Sequence, residues 1–92
     1  MADQSIIARH VASVSSATAS NIDFGTTVQK VYITTISNDV YIEFNGTANS
    51  DSFRVASGQP TVDFELLHSN VRTVSLLATT GTANVYVLGV VA

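Results

Sequence analysis

From Val28 onward apolar and polar residues alternate, a period of two that sends successive side chains to opposite faces of a strand. In "VYITTI", Val31 and Ile33 share one face and Tyr32 and Thr34 the other. "DVYIEFN" sets Val40, Ile42 and Phe44 against Tyr41 and Glu43, and "TVDFELL" sets Val62, Phe64 and Leu66 against Asp63 and Glu65. Two more strands are predicted at "SFRVA", with Phe53 and Val55 opposite Arg54, and at "VRTVSLLA", with Val74, Leu76 and Ala78 opposite Thr73, Ser75 and Leu77. The breaks fall at Asn38-Asp39, Asn45-Gly46, Ser57-Gly58, Ser69-Asn70 and Thr80-Gly81, where Asn, Asp or Gly takes a positive φ at little cost. Short strands spaced in this way predict an all-β fold, an antiparallel, jelly-roll-like β-sandwich of about seven to eight strands.

Residues 1–27 follow a different pattern and are expected to form an N-terminal arm and first strand ahead of a sandwich body at 28–92, within a single domain. Ile6, Ile7, Val11 and Val14 have helix-like spacing, with Asp3 or Ser5 as a cap. The Ser, Thr and Ala run from Ser15 to Ser20 dissolves that period. A short helix, an arm and a strand at "HVASVSSA" therefore stay open.

The last eleven residues, "TANVYVLGVVA", pose a question of their own, because Val85 to Val91 shows no inside and outside. A strand apolar on both faces is covered on both faces, whereas a strand of a two-layer sandwich ordinarily exposes one. The second cover is expected from the N-terminal segment or, from outside the chain, from another copy of it or a larger surface. Ile6, Ile7, Val11, Tyr86, Leu88 and Val90 are accordingly the candidate interface residues. Tyr32 and Tyr41 also lie opposite the apolar phase and are candidates for a surface aromatic patch.

Charge narrows the range of partners. Only 12% of the 92 residues are charged, against about 25% in an average domain. The net charge is -3, and the four basic residues (Arg9, Lys30, Arg54, Arg72) stand singly, so no basic stripe is present for nucleic acid. Ala17-Thr18-Ala19 imitates a signal-peptidase site, but Asp3, Arg9 and His10 interrupt the apolar run that a secretory signal needs. No segment has the roughly 18 apolar residues of a helical membrane span. Without cysteine there is neither a disulfide framework nor a thiol nucleophile.

Candidate chemistry is sparse. Asn45-Gly46-Thr47 fits the glycosylation pattern, but Asn-Gly after an alternating strand signals a hairpin turn. Asn45, Thr47, Asn49 and Asp51 gather oxygen donors, yet with one carboxylate they fall short of a calcium loop. His10 and His68 have no second histidine or carboxylate at metal spacing, and Glu65 and His68 fall on opposite strand faces. Glu43 and Glu65 would need a cleft to act as an acid pair. No enzyme activity, metal or cofactor is expected.

The stretches "VYITTISNDVYIEFNGTANSDSFRVASGQP" and "VRTVSLLATTGTANVYVLGVV" resemble small tailed-phage virion proteins, in particular head-decoration or cement proteins of β-sandwich type. The resemblance covers about two thirds of the chain and lies in the strand-Asn-polar loop pattern and the closing strand, not in a diagnostic motif. It implies a non-enzymatic protein of the virion, assembled in the host cytoplasm, that self-associates, often as a trimer, and decorates or stabilises the capsid by binding the major capsid protein or another virion protein. It also implies that the segment from Ala2 to about Ser20 acts as an arm. The alternative is a carbohydrate-binding or host-recognition module of a tail or fibre, using Tyr32, Tyr41 or Tyr86.

Overall fold

The computed structural model describes residues 6–58, 61–66 and 70–91. Seven strands occur among them, with no helix: β1 (Ile6–Ser15), β2 (Ser20–Ile36), β3 (Val40–Phe44), β4 (Phe53–Val55), β5 (Val62–Glu65), β6 (Val71–Ala78) and β7 (Thr82–Val91). All pairings are antiparallel, in the order β1-β7-β2-β6-β3-β4, with β5 joining β2 separately.

The long second strand turns this connected sheet into a sandwich. Straight, its 17 residues would span roughly 55 Å, more than the 44 Å of the longest molecular axis. It bends between Asp23 and Val28, where the register shifts. Gly25 holds φ +77 there, and its N–H donates to Asp23 Oδ1 at 2.8 Å. Before the bend, β2 pairs with β6. After it, β2 runs between β7 and β5. One layer is therefore β1-β7-β2-β5 and the other β2-β6-β3-β4, and a strand switching sheets at a bulge makes the corner.

The alternation read from the sequence fixes which side of each strand faces inward. Val31, Ile33, Val40, Ile42, Val74, Leu76, Val85 and Val87 are all buried in the shared core. Phe44 and Phe64 meet edge to face across the layers at 5.4 Å. The positive-φ residues fall at the expected breaks: Asn45, Gly58, Asn70 and Gly81, with Ser37 in place of Asn38 or Asp39. Asn45-Gly46 turns the chain without making a short hairpin, because β4 begins only at Phe53. Instead Asn45 ties the turn to β6: its Oδ1 accepts the N–H groups of Arg72 and Thr73, and its Nδ2 donates to the Asn70 carbonyl.

Of the forms open to the N-terminal segment, Ile6–Ser15 takes the strand. Helical spacing loses because β7 offers ten residues of edge, and Ile6–Val11 pairs with Val90–Val85 in unbroken register. After a bulge Val14 rejoins opposite Ala83 and is fully buried. The segment thus lies beside β7 in the same layer, so it does not cover the outer face of β7 as the sequence suggested.

Candidate functional site

Among the described residues, the outer face of β1-β7-β2-β5 brings aromatic, apolar and polar side chains into a shared depression. Register places them. Residues paired across strands project to the same side, so His10 with Tyr86, Ala8 with Leu88, Ile6 with Val90, Tyr32 with Leu88, and Thr34 with Tyr86 all face outward together. Between them lies a depression of about 560 Å³, bounded by His10, Tyr86, Tyr32, Leu88, Thr34 and Thr61.

Its walls are fixed by specific contacts. The His10 ring stacks on Tyr86 at 4.2 Å with 2° between planes, and it hydrogen-bonds the side chain of Asn84. Thr34 and Thr61 share a hydroxyl hydrogen bond at 2.6 Å. At the far end Lys30 Nζ sits 3.1 Å from Glu65 and 5.5 Å from the centre of the Tyr32 ring. The hydrogen bond to Glu65, then that to Tyr32, raises the Lys30 pKa above its ordinary 10.5. Lys30 and Glu65 put charge at one end of this face, and Arg9 also lines the depression.

The candidate residues divide. Tyr86 (45% exposed) and Ile6 (62%) present large apolar area to the outside, with Leu88 and Val90 half-buried beside them. Ile7 and Val11 instead point toward the core at the sheet edge and are partly buried. Tyr32 joins Tyr86 on the outer face. Tyr41 does not, because it lies in the other layer opposite Arg54 and Leu77. His10, Thr34 and Thr61 were missed as members of this face. The signal for His10 was its place in the period-two series Ile6, Ala8, His10, legible once that segment is a strand.

The remaining candidates do not converge. Asn45 is turned toward β6, and Asn49 Oδ1 accepts the N–H of Asp51 at 2.8 Å. Glu43 accepts from Ser52 and Glu65 pairs with Lys30, each on its own strand. His68 lies outside the described residues. Among the described residues no three His, Cys, Asp or Glu side chains cluster as metal ligands would.

No protein-family model matches the chain. No curated protein matches it by sequence. Its fold does have counterparts among solved structures. It is similar to a chain of Bacillus endospore appendages, a family of disulfide-linked pili, at 18% identity and a TM-score of 0.55, covering 96% of this chain and 84% of that one. It is also similar to the SPBc2 prophage-derived protein YomS at 12% identity and a TM-score of 0.57, covering 98% and 96%. At such identities the likeness is one of fold.

Proposed function

We propose that this chain is a non-enzymatic structural protein of a phage virion. It self-associates, with a trimer as the closed form, and decorates or stabilises the capsid by docking on the major capsid protein. The observation that carries this reading is the outer face just described. A sandwich layer ordinarily gives that side to polar residues, whereas here Ile6, Tyr86, Leu88, Val90 and Tyr32 share it. Contiguous apolar surface of this kind marks interaction sites. The two solved neighbours add support, one from pili and one from a prophage, although the absence of cysteine means that disulfide linkage cannot operate here. Many modest contacts repeated over a lattice give avidity without a strong single site.

The test is light scattering on the purified chain together with co-sedimentation on expanded capsids. The expected result is an oligomer that binds capsids, and binding that Leu88→Lys abolishes. A monomer that ignores virions refutes it.

The pairing of Tyr32 with Tyr86 around a depression that also offers the Thr34 and Thr61 hydroxyls favours a second reading, a saccharide-binding module of a tail or fibre. It predicts glycan-array hits that Tyr32→Ala and Tyr86→Ala abolish and Tyr41→Ala leaves intact. An array without hits removes it.

A further inference from the structure

The layer β1-β7-β2-β5 ends on two strands that each have a single partner among the described residues, β7 for β1 and β2 for β5. Such edges present unpaired N–H and C=O groups and template the addition of another strand. The core beneath them is closed in the middle and half-open at both ends. The partly buried apolar residues packed against it are Ile7 and Val11 on β1, Val62, Phe64 and Leu66 at β5, and Phe44 of the other layer.

We infer that β1 of one copy adds antiparallel to β5 of the next, so that the sheet continues across the contact and each copy closes the open end of its neighbour's core. This rests on the self-association proposed above and specifies its geometry. Direction allows it: strands alternate along β1-β7-β2-β5, so an incoming β1 that keeps the sense of the resident one runs opposite to β5. Phase allows it as well. With Val11 opposite Val62 and Ile7 opposite Leu66, the core-facing sides of both strands stay together, and His10 falls opposite Asp63 on the outside.

In this register the outer side sets His10 against Asp63 and Ala8 against Glu65, while Arg9, the only charged residue of β1, lies on the side of Ile7 and Val11, opposite Phe64 and away from both carboxylates. Asp63 has no hydrogen-bond or ion-pair partner among the described residues. Edge protection is present but partial. The bulge between Val11 and Val14 and the lone Arg9 blunt the strand, which confines addition to residues 7–11, a span equal to residues 62–66 of the acceptor. Because β1 meets β5 and not another β1, the contact is heterologous and either closes into a ring or grows.

The absence of cysteine makes this directly testable. Val11→Cys and Val62→Cys are prepared as separate proteins and oxidised alone and in equal mixture. Within one copy the two positions lie three strand spacings apart, roughly 14 Å, beyond disulfide reach. The expected result is a disulfide-linked dimer in the mixture and none from either variant alone, with a ladder from the double variant. Two outcomes overturn the inference alone: dimers from Val11→Cys by itself, which would mean β1 pairs with β1, or no cross-link while the parent chain sediments as an oligomer. A parent chain that is monomeric at every concentration overturns this contact and the self-association with it. Should either variant lose the parent circular dichroism spectrum, Ile7→Cys with Leu66→Cys tests the same register.

Discussion

Replacing Gly89 with alanine puts a methyl group where the ring of Phe24 already lies. A Cβ at this position would sit 2.8 Å from Phe24 Cε1, 3.0 Å from Phe24 Cδ1 and 3.2 Å from Val28 Cγ1. The glycine therefore serves close approach: the Phe24 ring just before the Gly25 bend packs against β7 at this position, and only a residue without Cβ leaves room. Phe24 is 5% exposed and Val28 fully buried, so neither can step aside without disturbing the core. Overpacking of this kind costs about 1–3 kcal/mol. For a domain of this size that corresponds to a fall in Tm of roughly 5–20 °C. Thermal unfolding followed by circular dichroism reads it, with urea unfolding at unchanged slope as the check on two-state behaviour. Phe24→Leu in the Gly89→Ala background should recover part of the loss, giving a coupling of at least about 0.5 kcal/mol. Alanine elsewhere in a strand interior is more stable than glycine by about 0.5–1 kcal/mol. A Tm at or above that of the parent would therefore refute the packing argument.

Three further outcomes are expected. The Ser57 N–H and the Arg54 guanidinium hold the Asp39 carboxylate below its ordinary 3.8, so this stabilisation is complete above pH 3.8 and lost as pH falls through the depressed pKa. Asp39→Asn should lower stability at neutral pH and converge with the parent in acid titrations of unfolding; parallel curves would contradict it. Asn45→Ala removes the hydrogen bonds that tie this exposed turn to β6 and should cost on the order of 1 kcal/mol in denaturant unfolding, with Asn45→Asp losing less because the acceptor survives. Deleting residues 1–15 removes β1, including the fully buried Val14, and uncovers the edge of β7; circular dichroism should show loss of the cooperative transition, and a cooperative fold without β1 would make the segment dispensable.

The strands were legible wherever one side faces the core and the other water. Val31 and Ile33, Val40 and Ile42, and Val74 and Leu76 keep the predicted phase because a period of two has one solution once a face is buried. β1 was ambiguous for the same reason in reverse. At a sheet edge only Val14 is fully buried, so Ile6 to Val11 carry little contrast, and local spacing reads as helix and strand equally well. Layer membership was not legible at all. Tyr32, Tyr41 and Tyr86 share the same phase within their strands, but whether β3 lies beside β2 depends on the bend at Gly25, a tertiary event that no local pattern encodes.

The apolar closing strand can now be resolved into separate demands. Ala83, Val85, Val87 and Gly89 alternate inward and are buried, so one face is explained by the domain itself. Both edges of β7 are also taken, by β1 and by β2. Only the outer face remains, where Tyr86, Leu88 and Val90 meet Ile6, Ala8 and Tyr32 in register. Because β1 is spent on the edge, Ile6–Ser15 cannot also lie across that face. Cover for it must be seated from above the sheet, while cover for Ile7, Val11, Val62 and Phe64 must arrive from its sides. These are two different directions of approach, which suits a subunit that contacts its own copies edge to edge and a broader surface through its face. Leu88→Lys should therefore weaken docking on capsids while leaving the Val11–Val62 cross-link between copies intact. If both were lost together, face and edge would be one interface and this division would be wrong.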